Sequence, residues 1–245
     1  MTDLTIEANH PTASTPDSNP AGADRMDMYA GIHKALRLMM TRTMCEVGST
    51  DPDDPAAVRA TLGMVDRLLS LCELHLKDEN DFVHPALERA RPGSAARIAA
   101  EHVHHAEEIA DLRDLAGLVN DCRDEIRAAA LDRLYRKLAL FIADNLQHMD
   151  YEQTAHNAVL WSHYSDAQLH DIERALVASI PPAAMMECLR WFLPALNFPE
   201  RVGMLSGMQH GMPPEAFGAV LEIAARTLSA ADNAALRRAL GLPRA

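Results

Sequence analysis

Nowhere in this 245-residue chain do apolar and polar residues alternate with a period of two; from Met26 onward the apolar positions recur every three or four residues. That is the period of one face of an α-helix, and it leaves no strand to build a sheet from. Ala, Leu, Met, Arg and Glu dominate this region and aromatics make up only 4%, a composition that favours helix throughout. The chain therefore reads as all-α. Interruptions of the pattern set the helix count. "VGSTDPDDPAAV" separates a first helix, about 27–46, from a second, about 56–88, and "RARPGSA" ends that one before a third, about 94–118. "GLVNDCRDE" then leads into a fourth that runs to about Tyr164. Connections this short favour antiparallel neighbours, hence an up-down-up-down four-helix bundle over residues 26–164.

Beyond Ser165 the texture changes to shorter pieces, so residues 165–245 read as a C-terminal extension of four or five short helices. "SDAQ" and "NFPE" have capping-box spacing, while "IPPAA" and "MPPEA" place proline where a helix begins. Their apolar supply is Trp191, Phe192, Phe198 and Phe217 with Met185, Met186, Met204, Met208 and Met212, which read as gap-filling core. Helices of about 12 residues are marginal alone in water, so the extension is expected to pack on the bundle or on a second subunit. Trp191, Phe192, Leu193 and Leu196 would suit a homodimer contact, the alternative being a helical subdomain within one chain. No repeat period is evident.

The ends and the charge exclude several roles. Residues 1–25 are polar and rich in Pro, Ser and Thr, with Asp3 and Glu7 where a secretion signal would carry positive charge, so they read as a disordered tail. No apolar run approaches the roughly 18 residues of a membrane span. Cys45, Cys72, Cys122 and Cys188 include no C-x-x-C pair, which implies neither a disulfide framework nor a thiolate metal site. A cytoplasmic setting fits. With 23 Lys and Arg against 35 Asp and Glu, the net charge of -12 repels phosphate backbones and anionic headgroups, so nucleic acid and membranes are not expected partners.

Against that background, histidines interrupt the apolar stripes. The third helix runs Ile98, His102, His105, Ile109, Leu112 in steps of four and three, with His104 pointing elsewhere. The second runs Val65, Leu68, Cys72, His75, Glu79, Phe82, and the fourth Leu134, Leu138, Phe141, Asn145, His148, Glu152. On the first, His33 precedes Leu36 and Met40. In an up-down-up-down arrangement all seven polar groups fall on the order of 10–25 Å from one end of the bundle at about 1.5 Å per residue, so they can converge. Converging without a partner would carry a large desolvation cost, which a cation removes. Imidazole with carboxylate suits iron or zinc. Five histidines and two glutamates exceed one tetrahedral site, and two six-coordinate ions fit better. With both carboxylates and a water-derived oxygen shared, one position stays open for a small diatomic ligand.

The ordered set His33, "HLKDE" (His75, Glu79), "HVHH" (His102, His105) and "HMDYE" (His148, Glu152) resembles the hemerythrin, or HHE cation-binding, family over about residues 26–160. The resemblance implies two non-haem iron ions bridged by carboxylates and an oxo or hydroxo group. It assigns His102, His105 and His148 to one iron, His33 and His75 to the other, and Glu79 and Glu152 to the bridge. It implies reversible oxygen binding. Here the third-helix pair is spaced H-x-x-H where blood-type hemerythrins have H-x-x-x-H, and the last carboxylate is Glu four residues after His148 rather than Asp five residues after it. The resemblance says nothing of residues 165–245.

The favoured function is a cytoplasmic di-iron protein that holds oxygen or a related small ligand for storage, delivery or sensing. The rivals are a redox enzyme acting on peroxide or nitric oxide, and an iron- or oxygen-responsive adaptor that uses its C-terminal helices. No positioned proton donor stands out, which leans against an enzyme. His84, before Pro85, reads as a rim or surface residue; His156 reads as solvent-exposed, with a place beside the site as the alternative. Cys72 reads as a small core residue, and His10, His163, His170 and His210 as surface.

Overall fold

A computed structural model describes residues 25–243. The tail expected for residues 1–25 lies, apart from Arg25, outside the described residues, as does His10. Helices are the only regular elements among the described residues: α1 Ala30–Ser49, α2 Pro55–Asp78, α3 His84–Ala90, α4 Ala96–Asp121, α5 Asp124–Tyr151, α6 Asn157–His163, α7 Asp166–Ser179, α8 Pro182–Ala195, α9 Phe198–Gly211, α10 Pro214–Thr227 and α11 Ala230–Ala239. Two π-helical segments interrupt what the periodicity reads as continuous helices. Glu79–Val83 joins α2 to α3 and Glu152–His156 joins α5 to α6. No single helix among the described residues is long and apolar enough to cross a membrane.

Local chemistry accounts for the helix starts. Asp54 accepts hydrogen bonds from the backbone of Ala56 and Ala57, with Pro55 in the first helical turn of α2. Ser165 with Gln168 and Asn197 with Glu200 form the two capping boxes at the starts of α7 and α9. Proline opens α8 and α10. Between α3 and α4, Gly93 takes a φ of 84°, a left-handed turn that a side chain would strain, and Glu88 accepts from the backbone of Gly93 at 2.7 Å and Ala95 at 3.0 Å. Arg25 is fastened to Asp166 at 2.7 Å and to the backbone carbonyls of Trp161 and Tyr164.

Packing then orders the elements. α1 lies against α2 and α5, and α4 lies against α2 and α5. Their long apolar core contains Leu36, Met40, Leu68, Leu112, Leu134 and Phe141. Tyr29, Val83, Leu87 and Leu160 belong to a second apolar layer built around the π segments and α3 and α6. Between these layers the same helices carry buried His33, His75, Glu79, His102, His148 and Glu152.

The C-terminal helices turn back onto this assembly. α8 packs on α1 and on α10, bringing Cys188 into the long core and Trp191 and Phe192 against it. A Cβ at Gly31 would stand 3.1 Å from Phe192 Cε1, so the absence of a side chain there is what lets α8 approach α1 closely. Lys34 of α1 pairs with Glu200 of α9. Leu189, Leu193, Leu205, Phe217, Val220 and Leu236 form a separate cluster among α8 to α11. Trp191 and Phe192 thus have partners on the bundle within the same chain.

Arg201 joins these helices. Its buried guanidinium donates to the carbonyls of Leu193 and Leu196 at 2.7 Å each, satisfying the end of α8 on either side of Pro194. Arg201→Ala leaves both carbonyls without that donor, and each such loss costs about 1–3 kcal/mol. Urea unfolding should therefore report a protein about 3 kcal/mol less stable.

Candidate metal centre

Two groups of buried side chains bring their ligand atoms within 4.8 Å of one another: His33, His75, Glu79 and Glu152, and His102, His148, Glu79 and Glu152. The glutamates are common to both. His33 Nε2 stands 3.4 Å from Glu152 Oε2 and 3.9 Å from Glu79 Oε1, and His75 Nε2 stands 3.4 Å from Glu79 Oε1. In the second group His102 Nε2 is 3.3 Å from Glu79 Oε2 and His148 Nε2 is 3.3 Å from Glu152 Oε1. Ligands at about 2.1 Å from a common ion are separated by roughly 3.0–3.4 Å, so most of these spacings fit donors sharing a cation.

The local fold explains the convergence. His75 with Glu79 and His148 with Glu152 each lie four residues apart, so each pair shares a face at the end of its helix. Both π segments begin at the glutamate, a placement common where helices carry functional groups. All four glutamate oxygens, both ring nitrogens of His33 and Nε2 of His75 are buried with no hydrogen-bond partner. Orphaned buried polar atoms are costly, and here they face one another.

Hydrogen bonds outside the cluster orient the second pair of imidazoles. His148 Nδ1 donates to Glu101 at 2.9 Å, and Glu101 is held by Arg97. His102 Nδ1 donates to Asn80 Oδ1 at 2.9 Å. With Nδ1 engaged outward, each ring turns its Nε2 inward, and the two Nε2 atoms are only 3.2 Å apart. In their neutral form both Nε2 atoms could ligate one cation placed between them.

Electrostatics points the same way. Burial, then the charge of Glu152, pushes the Glu79 carboxyl well above its usual range. Burial also raises Glu152, but the facing imidazoles of His102, His148 and His33 outweigh it and hold Glu152 well below. Burial, then His33, drives His75 well down. Burial lowers His148 too, yet Glu152 and Glu101 more than offset it and leave it raised.

His105, expected as a seventh ligand, joins neither group. Its Nε2 is 2.8 Å from Asp144 and its Nδ1 is buried without a partner, so the ring stands beside His148 at 4.7 Å between centroids. His104 is exposed, as the stripe predicted, and so are His163, His170 and His210. Cys72 is a buried core residue whose thiol burial pushes up to about 12.

Two expectations fail. His84 is 7% exposed and stacks on His102 at 4.8 Å between ring centroids, and His156 is 1% exposed, its Nδ1 3.1 Å from the Tyr29 hydroxyl. Nε2 of each is buried without a partner. For His84 the cause is the π segment, where His84 N–H bonds to the Glu79 carbonyl five residues back. The extra residue retards the face by about 100° of helix rotation and turns His84 inward. For His156 the i to i+4 step from Glu152 already signalled the shared face.

His84 titrates with a workable sign. Burial, then His102 and His156, lowers it from 6.5 to about 4. Between those values the unfolded chain binds the proton and the folded chain does not, so stability is present above about 6.5 and is lost as pH falls toward 4. Allowing for partial solvent screening, His84→Phe should flatten urea-derived stability between pH 7 and pH 4 by about 2 kcal/mol relative to wild type.

A family model described as "Hemerythrin HHE cation binding domain" matches residues 25–155 of the chain. No curated protein and no solved structure matches it.

Proposed function

The chain belongs to the hemerythrin HHE cation-binding family, and we propose that it is a non-haem di-iron protein that binds oxygen or a related small diatomic ligand in the cytoplasm. In this reading residues 26–164 are an up-down-up-down four-helix bundle and residues 165–245 an extension, which the mutual packing of α1, α2, α4 and α5 supports. His33 and His75 would hold one ion, His102 and His148 the other, and Glu79 and Glu152 would bridge them. The observation that carries the proposal is the pair of inward Nε2 atoms 3.2 Å apart, set against four buried glutamate oxygens without partners. Imidazole with carboxylate suits iron, and a carboxylate-bridged iron pair supplies reversible redox chemistry toward oxygen.

Around that centre the chain's own residues orient and exclude. Glu101 and Asn80 fix two imidazole tautomers, and the apolar layers on either side keep bulk water from the bridge. A redox enzyme acting on peroxide or nitric oxide is favoured by one specific contact. Tyr29 lies 5.3 Å from His33 between ring centroids and its hydroxyl meets His156 Nδ1, so a proton donor stands beside the layer.

Protein expressed with iron should contain about two irons per chain, and anaerobic protein titrated with oxygen should develop visible absorption that is lost on deoxygenation. Absence of iron, or one zinc that iron cannot displace, would refute the di-iron reading. Iron without reversible absorption, but with turnover of peroxide or nitric oxide, would favour the enzyme.

A further inference from the structure

The C-terminal helices do not close completely on the bundle. Between α1 and α2 on one side and α7, α8 and α9 on the other lies a cavity of about 260 Å³. Its walls are apolar: Ile32 and Leu74 face Met185, Phe192, Met204 and Met208. Unbranched methionine side chains adapt to the outline of an occupant. An apolar cavity of about 150 Å³ accepts benzene, so this one has room for about ten non-hydrogen atoms.

Two further observations define the chemistry of the occupant. Asp27, Asp78 and Glu173 line the cavity and no lysine or arginine does, so an anionic molecule would find like charge and no cationic side chain. Asp78 is 6% exposed, yet among the described residues no donor reaches its carboxylate. A ligand carrying one N–H or O–H group supplies a donor to that carboxylate in a largely apolar setting.

We propose that this cavity binds a small apolar molecule of about indole size that carries one N–H or O–H donor and no negative charge. Its donor meets Asp78, and its body lies between Leu74 and Phe192 against the methionines. The site stands beside the His75 and Glu79 end of the metal centre. Its pocket walls come from the helices themselves, so binding does not depend on the di-iron reading, and measurement with and without iron separates the two.

The test is calorimetric titration of the full chain, metal-free and iron-loaded, with three probes. Indole has the donor, benzofuran has the same outline without it, and indole-3-carboxylate adds an anion. Indole should bind one per chain and saturate in both preparations, at least about tenfold more tightly than either other probe, the factor expected of one hydrogen bond worth about 1.4 kcal/mol. Met204→Trp should fill the cavity and abolish binding, with Met208→Phe serving if the first variant fails to fold. Asp78→Leu should bring indole and benzofuran to equal affinity. No saturable indole binding to the wild-type protein overturns the proposal. Equal binding of the carboxylate also overturns it, as does unchanged indole affinity in a folded, filled variant.

Discussion

Glu152→Ala protein should carry almost no metal. Glu152 is fully buried, and its two oxygens reach toward both groups, 3.4 Å from His33 Nε2 on one side and 3.3 Å from His148 Nε2 on the other. Its removal takes a ligand from each ion at once and leaves four imidazoles and Glu79 without the compensation of a second carboxylate. Glu79→Ala should behave alike. Metal analysis of purified protein checks this, and retention of one ion per chain would end the bridging role. His104→Ala should keep its full metal content. So should His105→Ala, which reverses the expectation from helical spacing, because His105 joins neither group of converging ligand atoms.

Truncation after Ser165 should lower thermal stability by about 10–20 °C and make the protein self-associate. Removing α7 to α11 strips Cys188 from the long core and Trp191 and Phe192 from its flank, and it opens Ile32, Leu71 and Leu74 to water. Two or three side chains of that kind are worth about 5 kcal/mol together, and each kcal/mol moves the midpoint by about 2–4 °C in a chain of this size. Differential scanning calorimetry with light scattering reads both effects. A truncated protein that keeps its iron, melting temperature and oligomeric state would make the segment a separate module.

How far the sequence discloses this architecture depends on how regular the helix is. His33, His75, Glu79, His102, His148 and Glu152 were readable because each continues an apolar stripe, and a stripe fixes direction wherever the helix keeps its period. His105 continued the stripe as well. Three residues from His102, it lies at the stripe's margin, where a small rotation carries the ring toward Asp144 on the neighbouring helix. His84 was not readable, because a π turn changes the period at the residue where the inference has to be extended. The cavity under α8 was beyond reach for another reason: it depends on how far short helices stop from one another. Starts marked by Ser165, Asn197 and the prolines give their boundaries but no distances.

The polar layer also bears on how the chain is tied together. Each half of the assembly repeats one order of residues, a histidine followed much later by His-x-x-x-Glu: His33 then His75 and Glu79, His102 then His148 and Glu152. Each group of ligand atoms borrows a glutamate from the opposite half. Ions held there act as cross-links, joining positions as remote as His33 and Glu152, much as a disulfide would. A covalent link closing a loop of roughly a hundred residues removes on the order of 4–5 kcal/mol of unfolded-chain freedom. Metal loading on this scheme is a folding event as much as a binding event, and a chelator loosens the pairing of two helical hairpins that apolar packing alone must then hold.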